Sequence, residues 1–154
     1  MTRGEARWNH LANLLVGGTG LVYGWMRYFV RPDEDDFSLA VNVNHRLQPS
    51  LEHWHILLAP LLIFTVALVW KSHIWVRVRL GFPKRRRTGL FLMTLFFPMV
   101  ASGYLVQTAV DQNWRQVWVI AHVATSCLWI LGYCVHLLTK APSGRAPGGK
   151  GPSE

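Results

Sequence analysis

Seven histidines stand in this chain of 154 residues, and two of them interrupt one long apolar run. The run is Trp114–Lys140, WRQVWVIAHVATSCLWILGYCVHLLTK, and the two are His122 and His136. Fourteen residues separate them. On a helix that spacing leaves them about 40° apart around the axis and about 21 Å apart along it. One face of one apolar helix therefore carries an imidazole towards each end. A titratable ring inside hydrocarbon is costly and by default marks a functional site. Imidazole is also a common axial ligand of haem iron. The spacing predicts two haems stacked across a membrane, with other helices completing their ligation.

A second apolar run supplies candidates. His53 and His55 stand at its start and His73 at its end. His55 and His73 are 18 residues apart, five whole turns, so they share a face if the helix stays regular. His53 does not share it. His10 precedes the first apolar run, and His45 lies in the loop before the second.

The elements that must position these rings are membrane spans. Half of the chain is hydrophobic, and its apolar residues fall in blocks long enough to cross a bilayer, which takes about 20 residues. Of eight tryptophans, Trp8, Trp25, Trp54, Trp70, Trp75, Trp114 and Trp118 lie near block ends, as an interfacial aromatic belt would. Four spans are expected, at about 11–30, 52–76, 89–110 and 115–139. The chain is then an all-α integral membrane protein, a four-transmembrane-helix bundle. Residues 1–140 form one domain, and the Pro-, Gly- and Lys/Arg-rich segment 141–154 is expected to be a disordered cytoplasmic tail. The first block has no small-residue cleavage site after its apolar part, so it reads as an uncleaved span. Its glycines Gly17, Gly18 and Gly20 suit close helix packing or the approach of a flat macrocycle. Ala101, Ser102 and Gly103 make a similar patch in the third span. Pro60 and Pro98 are expected to kink their helices. No internal repeat is apparent.

The net charge of +8 belongs to topology rather than to nucleic acid. Lys71, Arg77, Arg79, Lys84, Arg85, Arg86 and Arg87 fill one inter-span segment that has no acid, which places it in the cytoplasm. Asp33, Glu34, Asp35 and Asp36 fill the preceding loop, which belongs outside. Both termini are then cytoplasmic. Cys127 and Cys134 are about 10.5 Å apart along one helix, too far for a disulfide, and read as packing residues. The absence of C-x-x-C-H argues against covalently attached haem.

Topology sorts the histidines by depth. His45, His53, His55 and His122 lie towards the outside; His10, His73 and His136 lie towards the inside. The outer haem is best served by His55 and His122. The inner one is best served by His136 with His73, and His10 is the alternative. Eighteen residues rise about 27 Å against about 21 Å for fourteen, so tilt or a kink must absorb the difference.

This pattern resembles the di-haem b-type cytochrome superfamily that includes the membrane subunits of nickel-iron hydrogenases and formate dehydrogenases. WVIAHVATSCLWILGYCVHLL is similar to that family's last core helix, with His122 and His136 at ligand positions, and His55 matches a ligand at the start of its second helix. HRLQPSLEHWHILLAPLLIFTVALVWKSHIW resembles a compact four-helix subgroup, which favours His73 over His10. The resemblance covers residues 8–140. It implies two b-type haems and electron transfer between quinone or quinol and a periplasmic c-type cytochrome or metalloenzyme subunit. The chain would be the electron-transfer subunit of an oxidoreductase complex in a bacterial inner membrane, in contact with lipid, and a homo-oligomer is compatible with it.

Haem propionates would need cations: Arg27, Arg31, Arg46 and Arg115 outside, Lys71, Arg77 and Lys140 inside. His45, Arg46, Gln48, His53 and Gln107 could build an outer quinone pocket, and Lys71 and His73 could contribute to an inner one. The acidic outer loop could dock a basic partner. Two other readings compete. A stand-alone small cytochrome b could act directly on a soluble oxidant or reductant such as superoxide. A non-haem membrane anchor or assembly protein would have no need of histidines so deep.

Overall fold

The computed structural model describes residues 2–30, 45–79 and 86–139, with backbone alone at 77, 78 and 86. The acidic loop, Arg31, Lys84, Arg85, Lys140 and the tail expected from 141 lie outside the described residues. Those described are helical almost throughout, without a strand.

Helix α1 runs Arg3–Phe29, eight residues ahead of the expected start of the first span. Its early start is a capping effect. Thr2 accepts the Glu5 N–H, and the Glu5 carboxylate accepts the Thr2 N–H at 2.8 Å, which satisfies two exposed donors reciprocally. Helix α2 spans Gln48–Val69, with Pro49 in its first turn, where a missing N–H costs nothing. It continues through Pro60. A π-helical segment, Trp70–Trp75, follows, and a short α3, Val76–Arg79, extends it. Helix α4 spans Arg86–Thr108 and contains Pro98. Asp111 then accepts the N–H groups of Asn113 and Trp114, both at 3.0 Å, and so starts α5, Gln112–Leu138.

These helices form two compact units, residues 1–80 and 81–154, each a helical hairpin. In the first, α1 packs on α2 around Ala12, Val16, Leu62, Thr65, Val66 and Val69. In the second, α4 packs on α5 around Leu92, Phe96, Met99, Ser102 and Trp129. The rings of Phe96 and Trp129 meet at 5.6 Å, and Gly132 lets Phe91 and Leu92 approach the α5 backbone.

Outside these cores the surface is apolar. Leu14 is 71% exposed and Ile120 69%. Gln48–Trp75, Arg87–Thr108 and Gln112–Leu138 are each long and apolar enough to cross a membrane, which points to a multi-pass membrane protein. At 27 residues α1 has the length as well. Asn13, Thr19, Arg27 and five glycines dilute its apolar content. Of the tryptophans, Trp8, Trp25, Trp54, Trp70, Trp75 and Trp114 are exposed, Trp118 is half-buried, and Trp129 is buried in the core.

Candidate ligand histidines

His55 projects from α2 onto α1. Its Nδ1 lies 3.1 Å from the carbonyl oxygen of Val16 and 3.3 Å from Thr19 Oγ1. A carbonyl only accepts, so Nδ1 carries the proton and donates it. The Thr19 hydroxyl donates to the carbonyls of Leu15 and Val16, which leaves its oxygen to accept from the ring as well. This tautomer puts the imidazole lone pair on Nε2. Gly20 makes the approach possible: a β-carbon there would stand 2.8 Å from His55 Cε1.

His122 repeats this arrangement in the other hairpin. It projects from α5 onto α4, with Nδ1 3.0 Å from the Met99 carbonyl oxygen and 3.4 Å from Ser102 Oγ. The Ser102 hydroxyl donates to that same carbonyl at 3.0 Å. A β-carbon on Gly103 would stand 3.1 Å from His122 Cε1. Each first helix thus presents a carbonyl, a hydroxyl three residues on and a glycine immediately after, and each second helix presents a histidine to them. This short structural repeat is the one the sequence did not make apparent.

His136 has a related cradle. Its Nδ1 lies 2.9 Å from Thr88 Oγ1, and a β-carbon on Gly89 would stand 3.8 Å from its ring. Thr88 and Ser102 are 14 residues apart on α4, as His136 and His122 are on α5. The antiparallel helices therefore stay in register between the two contacts. His122 and His136 both face α4, as their spacing predicts for one face of α5.

Thr19, Thr88 and Ser102, with the carbonyls of Val16 and Met99, are absent from the residues singled out in the sequence. The signal that could have found them is a hydroxyl–glycine dipeptide: Thr19–Gly20, Thr88–Gly89 and Ser102–Gly103. Of the glycines at the centre of α1, Gly20 makes the close approach, whereas the space beside Gly18 is open, as it is beside Gly24.

His73 is half-buried within the π-helical segment. A shared face with His55 presupposed a regular helix. Bonding from each residue to the fifth along, in place of the fourth, changes the phase of everything beyond it. Beside His73, Ser72 donates to Glu5 at 3.0 Å and so ties this segment to the start of α1. The alternative His10 is exposed on α1, as is His53 on α2. His45 is half-buried, and its Nδ1 accepts the Leu47 N–H at 3.1 Å. Gln48 is buried, and the Gln107 amide donates to the carbonyl of Gly103, within the cradle of His122.

Of the expected propionate cations, Arg27 is half-buried, and Arg46, Lys71 and Arg115 are exposed. Cys127 and Cys134 are free thiols on the exposed surface, not in the core of the hairpin. The expected partners His55 and His122 belong to different hairpins, as do His73 and His136. Among the described residues no three or more His, Cys, Asp or Glu side chains cluster to hold a metal ion.

Compared with known protein families, with curated proteins and with solved structures, the chain matches none.

Proposed function

We propose that this protein is a membrane di-haem cytochrome b that passes electrons between the quinone pool and a periplasmic redox partner. The observation that carries the proposal is the anchoring of Nδ1 in His55 and His122. Histidines that ligate metals almost always give their other ring N–H to a carboxylate, a carbonyl or water, which fixes the tautomer and the ring orientation. Both rings hold Nδ1 on a main-chain carbonyl, at 3.1 and 3.0 Å, with Nε2 bearing the lone pair. A plain membrane anchor has no use for this arrangement twice over.

In this reading His55 and His122 serve the outer haem. His136 serves the inner one with His73, and His10 is the alternative ligand. Bound b-type haem would supply reversible one-electron chemistry, while the chain fixes ligand orientation, burial and access. The open space beside Gly24, one turn beyond Gly20 on the same side of α1, suits a flat group lying against that helix. The proposal includes four spans in a bacterial inner membrane with both termini in the cytoplasm. Gln107, beside the His122 cradle, is the strongest candidate for a polar contact to quinone.

The test is a reduced-minus-oxidised visible spectrum with haem quantified as the pyridine haemochrome. It is run on the wild type and on His122→Ala, His136→Ala, His73→Ala and His10→Ala. Two b haems per chain are expected, with one lost in each of the first three variants and none in the last. Loss with His10→Ala but not His73→Ala moves the inner ligand to α1. A folded wild-type chain without haem refutes the cytochrome reading.

A further inference from the structure

We propose that Thr19 and Ser102 are positioning residues, which set the ring plane and the donor strength of His55 and His122, and that Thr88 does the same for His136. The inference rests on the ligand roles proposed above, but its first test does not need them.

The geometry divides the work between two neighbours on the helix. Gly20 and Gly103 remove the β-carbon that would hold each ring away, so the ring edge lies against the backbone. The adjacent hydroxyl then selects one rotation of the ring. Thr19 Oγ1 and the Val16 carbonyl sit on the same side of His55, 3.3 and 3.1 Å from its Nδ1. Ser102 and Met99 do the same for His122 at 3.4 and 3.0 Å. Each hydroxyl also spends its own proton on a main-chain carbonyl. It therefore meets the ring as an acceptor and reinforces the proton on Nδ1. An imidazole whose N–H is held by acceptors is the more basic at its other nitrogen. It binds a cationic metal more strongly and favours the more highly charged ferric state. For His136 the Thr88 hydroxyl, at 2.9 Å, is the corresponding partner and accepts when Nδ1 is protonated.

Two measurements on the full-length chain test this. The first is nitrogen-15 NMR of histidine-labelled protein, produced without haem. The wild type is expected to show His55 and His122 protonated at Nδ1. Thr19→Val keeps the shape of the side chain and deletes the hydroxyl; it should shift the His55 Nδ1 signal, the proton staying there on the Val16 carbonyl alone, and leave the signals of His122 in place. Ser102→Ala should do the converse. Thr19→Ser and Ser102→Thr restore a hydroxyl and should restore the signals, which a role in packing alone would not predict. Wild-type rings protonated at Nε2, or signals unmoved by either deletion, would overturn the proposal.

The second measurement is a redox titration of the haem-loaded protein. Thr19→Val and Ser102→Ala should each raise the midpoint potential of the same haem and weaken its retention roughly 10- to 100-fold, as loss of partners to a metal ligand typically does. Unchanged potential and retention would overturn the tuning role. If the folded wild type takes up no haem, the cytochrome reading fails, and the NMR result alone decides whether the hydroxyls position the rings.

Discussion

Replacing Gly20 by alanine isolates the close contact between α1 and His55. Alanine in place of glycine inside a helix ordinarily stabilises by about 0.5–1 kcal/mol. Here the new β-carbon would lie 2.8 Å from His55 Cε1 and 3.2 Å from Nδ1, both inside the 3.4 Å at which ordinary contact begins. The ring must move by about 0.6 Å or more, away from the carbonyl it bonds. Overpacking of this kind costs about 1–3 kcal/mol. At Gly18 and Gly24 nothing lies within 4 Å of the added carbon, so those variants receive the helical gain alone. The helical gain is common to all three and cancels. Gly20→Ala should therefore be less stable than Gly18→Ala by about 1–3 kcal/mol. The assay is reversible unfolding of the haem-free protein in mixed detergent micelles, followed by circular dichroism. Equal stability of the two variants, within about 0.5 kcal/mol, would refute the contact and with it the assigned role of Gly20.

Trp129→Ala should destabilise the protein by about 3–5 kcal/mol in the same assay, since Trp129 is buried against Phe96. Trp114→Ala, at an exposed ring, should cost far less. Asp111→Ala removes both hydrogen bonds that start α5 and should cost about 0.5–2 kcal/mol, with Asp111→Asn close to wild type. Hydrogen bonds from the Thr2 N–H and then the Ser72 hydroxyl hold the Glu5 carboxyl below its ordinary value of 4.5. Its stabilising contribution is present above that value and is lost as pH falls through the lower folded value. Amide exchange at the start of α1 should accelerate in that acid window, and Glu5→Gln should abolish the dependence.

The placement of α2, α4 and α5 was legible because apolar block length is a strong signal. The early start of α1 was not, because it depends on the reciprocal Thr2–Glu5 contact and not on hydropathy. The common face of His122 and His136 could be read from spacing within one helix. The partners of their rings could not, because they depend on which residues of α4 lie opposite. His55 is 36 residues from Thr19, with a loop between them, so no local period links the two. The π-helical segment likewise has no simple composition cue, and it alters the phase on which the pairing of His55 with His73 was built.

The equal 14-residue steps on α4 and α5 also bear on how this hairpin finds its alignment. Two apolar helices in hydrocarbon gain little from any one axial offset, because lipid tails are as apolar as leucine. A slip of one turn, about 5.4 Å, would cost few apolar contacts. It would nevertheless bring Val106 and Gln107 opposite His122, and Leu92 and Met93 opposite His136, where no glycine admits a ring. Both imidazoles would lose these hydrogen-bond partners at once. The two cradles thus act as a pair of dowels: either one penalises a slip, and together they single out one alignment of α4 and α5 from a ladder of otherwise similar ones.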